Sequence, residues 1–295
     1  MATFYTAKFN INERIYHAAK GEVTIGELLE KVFNGLNQET KVTDIKDEDI
    51  TYKFVDLHRD YNKNILDGTI VKYYDGINSR YNEEEDKVID EQTKNKAEYV
   101  SFSFDIKKEI IGFVPKMGFS KEVFIKYFEM LVSKSVPEVG NVVLILVIDA
   151  AELDAKFNKM SLLKELQVNI IPENDDKADI ADIIEILRDD IKGSNAQHIG
   201  INLKGTIKEP LVKKSNLVQS LKGVAKKAYA RLIAVGRDNN GSKYTIDSQK
   251  DTLLTRTIRD DNRNSLPLIS ELTQETANVY IEQKAREVNK DGKER

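Results

Sequence analysis

The most apolar segment of the chain runs from Val142 to Ile148 and reads VVLILVI. Asn141 and Asp149 bound it, so it is far shorter than the roughly 20 apolar residues that cross a bilayer. An apolar run of this length between polar residues predicts a buried strand. We therefore expect a fold built around a sheet, with no membrane insertion by this chain.

From residue 141 onward, strand and helix patterns alternate along the chain. Strands are predicted at 142–148, 167–171, 198–203 and 231–235, and helices at about 151–166, 176–192 and 211–229. Alternation of this kind, with helices of this length, favours an α/β or α+β layered structure.

The N-terminal part mixes strands with an inserted helix. Thr24 stands three residues before Glu27, which predicts a helix that opens with a capping box. The segment 81–96 is rich in Asp and Glu and poor in large apolar residues, which predicts a solvated loop or lid. Residues 100–104 and 110–114 predict a β-hairpin.

The fold class expected from these patterns is α+β. An N-terminal α+β domain would span residues 1–140 and carry the acidic loop 81–96. A C-terminal α/β domain with a basic surface would span residues 141–265, and a helix would occupy residues 266–295.

Composition excludes several kinds of chemistry. The chain has no cysteine, so disulfides, thiolate zinc sites and a cysteine nucleophile are impossible. Its three histidines share no ligand spacing, and no diagnostic catalytic motif is present. We therefore predict no catalytic residues, no metal and no cofactor. The N-terminus lacks the pattern of a secretory signal, which fits a cytoplasmic protein.

Charge is distributed unevenly along the chain. The overall net charge is −4, but residues 1–100, 101–200 and 201–295 carry net charges of −6, −5 and +7. Between residues 201 and 237, nine basic side chains accompany a single acid, Glu209. Those proposed to contact nucleic acid are Lys204, Lys208, Lys213, Lys214, Lys222, Lys226, Lys227 and Arg231.

Two helical arrangements are expected within this basic third. Leu217, Leu221 and Val224 recur at helical spacing, which would send Lys222 and Lys226 to the opposite, exposed side. A second basic row, also at helical spacing, would consist of Arg256, Arg259 and Arg263. Such side chains would bind backbone phosphates largely without regard to sequence, and binding would weaken steeply with salt.

Two other motifs have simpler explanations. The segment from Gly236 to Lys243 resembles a phosphate loop, but its residue order and the β-like residues after it favour a hairpin. Asp149, Asp154 and Lys156 superficially resemble a metal-dependent nuclease site. Asp149 is more readily explained as a helix cap.

The order of elements resembles that of the RexA phage-exclusion family and, more distantly, the KwaB subunit of the Kiwa anti-phage system. The similarity rests on Phe4–Ala7 at the start, on Val100–Phe104 with Ile110–Val114, and on the stretch from Ser194 to Asp251. It includes no signature motif that transfers residue by residue. The resemblance implies a cytoplasmic bacterial or prophage defence protein that binds DNA as a dimer or larger oligomer.

The leading functional hypothesis is therefore a non-enzymatic DNA-binding sensor or effector of phage defence. DNA is the expected nucleic acid rather than RNA, the protein is expected to form a homodimer or higher homo-oligomer, and a second defence-system protein is a further partner. One alternative is a metal-dependent nuclease or nucleotide-processing toxin. Another is a protein-interaction module that uses the C-terminal helix and the acidic segment.

Overall fold

The structure of the protein is a computed structural model that describes residues 1–171 and 196–291. Its strands are β1 (Ala2–Ile11), β2 (Lys41–Thr43), β3 (Thr51–Asp60), β4 (Ile65–Asn82), β5 (Lys87–Asp105), β6 (Ile110–Phe113), β7 (Val142–Leu146), β8 (Met160–Ile170), β9 (Ile199–Lys204), β10 (Ala230–Asp238), β11 (Lys243–Asp247) and β12 (Thr255–Ile258). The helices are α1 (Ile15–Ala19), α2 (Ile25–Gly35), α3 (Lys121–Ser135), α4 (Ala150–Lys159), α5 (Asn216–Lys226), α6 (Ser248–Asp251) and α7 (Leu266–Asp291).

The strands form two antiparallel sheets, which confirms the α+β class. The larger sheet has the order β12-β1-β6-β5-β4-β3-β2, and β7 pairs with β1 beside β12. The smaller sheet has the order β11-β10-β8-β9. The apolar run at Val142 is therefore a strand of the larger sheet, as its sequence predicts.

Helices cover both faces of the larger sheet. On one face, α2 and α3 bury Phe33, Phe124 and Phe128 against strand residues in a core rich in aromatic side chains. The capping box of α2 is present, because Thr24 Oγ1 accepts the Glu27 N–H and the Glu27 carboxylate accepts the Thr24 N–H.

The opposite face of the larger sheet is covered by α7. Its residues Ile269, Ala277 and Tyr280 are buried. At Gly112 a side chain would collide with Thr273 of α7, so the glycine permits the helix to lie close to the sheet. This helix is part of the core packing and is not an appendage. Within the described residues, no helix is long and apolar enough to cross a membrane.

Two sequence-based expectations are wrong in their element type. The helix expected at 151–166 ends at Lys159, and β8 follows because its alternate residues Leu166, Val168 and Ile170 are buried as it pairs with β10. The acidic segment 81–96 is not a loop but the end of the β4–β5 ribbon. Polar cross-strand pairs, such as the 2.9 Å contact between Arg80 and Glu91, accompany the ladder there.

The sheets also divide the chain differently from the expected boundary at residue 140. Strands β7 and β12 both come from the segment 141–265, yet both pair with β1 in the larger sheet. The chain therefore returns to the larger sheet after completing the smaller one. The helix predicted at 176–192 lies outside the described residues.

Candidate nucleic-acid interface

The lysines that the sequence assigned to an exposed face of α5 are instead held against α4. Lys226 is only 4% exposed and donates to Asp154 Oδ2 at 2.8 Å, and Lys222 lies 3.1 Å from Asp154 Oδ1. Burial opposes ionisation of Asp154, but the hydrogen bonds and charges of the two lysines outweigh it and lower its pKa. The expectation that Lys222 and Lys226 are exposed is therefore wrong. Helical periodicity identifies the apolar face but cannot show that a neighbouring helix supplies a carboxylate.

Lys213 also has a structural role. Its ammonium donates to the carbonyl of Phe157 at 3.0 Å and to the carbonyl of Met160. These carbonyls lie at the C-terminal end of α4, where the helix dipole is negative and backbone acceptors have no partner within the helix. Lys213 therefore caps α4.

Lys227 and Arg231 are likewise engaged in the fold. Lys227 is buried, and Arg231 forms a bidentate pair with Asp247, with Nε–Oδ1 and Nη2–Oδ2 distances of 3.1 and 2.5 Å. Three other predicted residues lie on the surface. They are Lys204, whose ammonium is 3.4 Å from Glu165, and the exposed Lys208 and Lys214.

The second basic row is not a helix. Arg256 lies on the edge strand β12 and is exposed, Arg259 follows that strand, and Arg263 comes after a short 3-10 turn at Asp260–Asn262. A break between strand and turn removes the common face that helical spacing would have given. Of the three arginines, Arg263 lines a cleft.

This cleft, which we call the cationic cleft, is defined by Lys116, Lys121 and Arg263. It has a volume of about 470 Å³ and is also lined by residues at the start of β1 and by Ser120 and Glu122. A tight turn positions Lys116, since Lys116 and Phe119 bond to each other and Gly118 adopts a positive φ. The turn leads directly into the N-terminus of α3.

The N-terminus of α3 adds to the positive potential of the cleft. Ser120 caps this helix by accepting the Val123 N–H, and Lys121 is its first residue. A helix N-terminus carries partial positive charge and favours anions. Here it adjoins three cationic side chains.

The cations of the cleft are incompletely neutralised. Burial lowers the pKa of Lys116, and the nearby charge of Arg263 lowers it further. Within the described residues, Lys116 has no acidic partner within 4 Å, and its ammonium lies 3.5 Å from the centre of the Tyr99 ring. Arg263 pairs with Asp260, but its Nε is buried without a hydrogen-bond partner.

Sequence reasoning missed Lys116 and Lys121. Neither belongs to the basic last third, and each is separated from Arg263 by more than a hundred positions in the sequence. Ser120 did predict the start of α3, and hence placed Lys121 at a helix N-terminus. Nothing in the sequence showed that Arg263 would lie beside it.

The residues weighed for metal chemistry do not converge. Asp149 caps α4 by accepting the N–H groups of Ala151 and Glu152, at 2.9 and 3.0 Å, as its position suggested. Asp154 binds two lysines. Among the residues that the structure describes, no group of three His, Asp or Glu side chains could hold a metal ion. The segment from Gly236 to Lys243 belongs to the β10–β11 hairpin.

Fold and cleft together define an α+β protein of two antiparallel sheets, with an anion-attracting cleft beside one edge of the larger sheet. The chain belongs to the DUF4747 family, a domain of unknown function, whose family model matches residues 2–275. That match covers both sheets and the first part of α7. No curated protein matches the sequence.

Proposed function

We propose that this protein binds the phosphate backbone of DNA through the cationic cleft and acts as a non-enzymatic sensor or effector of phage defence. The observation that carries the proposal is that Lys116, Lys121 and Arg263 lie together at the N-terminus of α3. Like charges repel one another, so bringing them together is favoured when an anion binds between them. Phosphate oxygens are the acceptors that lysine and arginine bind in DNA.

The neighbouring arginines extend this surface. Register places Arg256 opposite Phe4 and Thr257 opposite Thr3, so β12 runs beside the β1 residues that line the cleft. Arg256 and Arg259 are both exposed, although Arg259 pairs with Asp261 at 2.7 Å. A duplex held in the cleft would lie near this edge. Contacts to phosphate alone make the proposed binding largely independent of DNA sequence.

The test compares two pairs of lysines. Lys116→Glu with Lys121→Glu changes the cleft, whereas Lys208→Glu with Lys214→Glu changes exposed lysines of the basic segment that the sequence had favoured. Both double variants alter net charge equally, so general electrostatic attraction falls equally in both. Binding to a labelled DNA duplex is measured by fluorescence anisotropy over a range of salt concentrations.

We expect the cleft variant to bind about tenfold or more weakly, and its salt dependence to fall by about 0.9 per lost phosphate contact. The control variant should differ little from the unmodified protein. Equal losses in the two variants, or no loss in the cleft variant, would contradict the proposal.

Phage defence and assembly are separate parts of the proposal. Cells that produce the protein are expected to support fewer phage plaques than cells that produce the cleft variant at the same level. Sedimentation velocity with and without DNA tests the proposed homo-oligomer. Truncation of α7 is unsuitable for that purpose, because Ile269, Ala277 and Tyr280 are buried against the sheet and their loss would expose its core.

A further inference from the structure

A second cavity lies on the larger sheet, away from the cationic cleft. It has a volume of about 720 Å³, within the usual size of small-molecule sites. It lies where α3 meets β2 and the adjoining ends of β1 and β7. Its polar lining residues include Asn12, Glu129, Ser133, Lys134, Asn141 and His198. We call it the Glu129 cavity.

Glu129 is held in place by one hydrogen bond. Its Oε1 accepts the N–H of Leu144, at 2.6 Å, on the edge of β7 that faces away from β1. Burial raises the pKa of Glu129 to about 7, and the Leu144 bond only partly offsets that effect. Within the described chain, no cation forms an ion pair with this carboxyl group, and its second oxygen has no hydrogen-bond partner.

The other ionisable groups around the cavity are directed elsewhere or lie at its margin. Lys134 donates to the backbone carbonyl of Lys41 at 2.8 Å. Glu13 accepts the N–H of Asn141 at 3.0 Å, and His198 is exposed. The cavity therefore presents a carboxyl group without a compensating positive charge.

Asn12 provides a second acceptor without a partner. The residue is 1% exposed, and its Oδ1 is buried without a hydrogen bond. A buried polar atom left without a partner costs roughly 1–3 kcal/mol. Asn12 and Glu129 line the same cavity, so one ligand with several N–H groups could satisfy both acceptors.

We propose that the Glu129 cavity binds a small organic cation carrying a guanidinium or amine group, whose N–H groups donate to Asn12 Oδ1 and to the free oxygen of Glu129. The positive charge of such a ligand supplies the counter-ion that the fold omits. An anionic ligand would meet an uncompensated carboxyl group instead. This inference rests on the cavity alone and is independent of DNA binding.

The four methionines of the chain allow a site-resolved test. Met130 lines the Glu129 cavity, Met1 lines the cationic cleft, Met117 is exposed beside Lys116, and Met160 is buried in the core of the smaller sheet. Labelling the methionine methyl groups with carbon-13 gives one resonance for each position. Substitution of each methionine by leucine assigns the spectrum.

Two probes of the same shape are titrated into the full-length protein: methylguanidinium, which is charged, and methylurea, which is neutral. We expect methylguanidinium to shift the Met130 resonance saturably, with millimolar affinity, while Met160 remains unchanged. Methylurea should bind at least about tenfold more weakly, and Glu129→Gln should reduce the methylguanidinium affinity by a similar factor.

Several results would overturn this assignment. They are the absence of any Met130 shift, equal affinity for the two probes, unchanged binding in Glu129→Gln, or displacement of methylguanidinium by Ca²⁺ at the same resonance. The comparison of the two probes uses the unmodified protein, so it remains decisive if Glu129→Gln fails to fold.

Discussion

The basic segment of the smaller sheet and the cationic cleft of the larger sheet use similar side chains for different purposes. In the former, Lys222 and Lys226 share Asp154, and Arg231 grips Asp247. In the latter, Lys116 lies near Arg263 and lacks an acidic partner within the described residues. A high density of lysine in the sequence therefore does not identify a binding surface. What matters is whether the fold supplies each cation with an internal anion or backbone acceptor.

Energetics explain why the distinction matters. A buried ion pair gains little overall, because desolvation offsets much of its attraction, but loss of one partner leaves the other charge uncompensated. Cations that lie together without acidic partners contribute little to folding and remain available to a ligand. Stability and binding should thus respond to different lysines.

The largest expected effect is on Lys226. Lys226→Glu would place a second carboxylate against Asp154 in a buried position, and we expect the free energy of unfolding to fall by about 3–5 kcal/mol. Urea denaturation measures this value. Lys214→Glu is the matched control, because Lys214 is exposed, and its effect should stay within about 0.5 kcal/mol.

If Lys226→Glu retained full stability but lost DNA affinity, the contrast between the two regions would fail, and the sequence-based assignment of Lys226 to the interface would be correct after all.

The next effect is a pH dependence at Glu129. Folding raises the pKa of this group from 4.5 to about 7, so the folded state binds the proton more tightly than the unfolded state. Its contribution is most favourable below pH about 4.5 and is lost as the pH rises through about 7. We expect Glu129→Gln to remove this loss, which would raise stability at pH 8 relative to pH 4 by about 2–3 kcal/mol compared with the unmodified protein.

Asp154 provides the control of opposite sign. Its folded-state pKa is lowered, so its contribution is present above the unfolded value and is lost as the pH falls through the folded value. Asp154→Asn should therefore reduce acid sensitivity. The two variants are compared by thermal denaturation across pH, and responses of the same sign would refute the assigned environments.

The smallest expected effect on stability is at Lys116. Lys116→Met keeps most of the side-chain volume and removes a charge that lies near Arg263. We expect stability to be unchanged or to rise by up to about 0.5 kcal/mol, while DNA affinity falls severalfold. Urea denaturation and fluorescence anisotropy measure the two quantities. A variant that lost stability and kept its affinity would show that Lys116 supports the fold.

Much of the fold could be predicted from local patterns. The apolar run at Val142, the capping box at Thr24, the cap at Asp149 and the β10–β11 hairpin all follow from neighbouring residues, and all occur in the structure. The ribbon at 81–96 could not be predicted in this way. Its strands have little apolar alternation, and their identity depends on pairing with each other.

The candidate site depended even more on long-range structure. Of the residues assigned to nucleic acid from the sequence, Arg263 lines the cleft, whereas Lys213, Lys222 and Lys226 are bound by groups of α4 and the start of β8. The separation of Lys226 from Asp154 is 72 positions. No local period reports a contact at that distance.

The sequence by itself determined the α+β class, the placement of most strands and helices, and the exclusion of cysteine chemistry. These properties depend on residue type and on periodicities of two or about 3.6 residues, which are local. Only the tertiary structure decided which lysines are neutralised and which face one another. A charge acquires its role from the groups that surround it in space, and the fold brings those groups from distant parts of the chain.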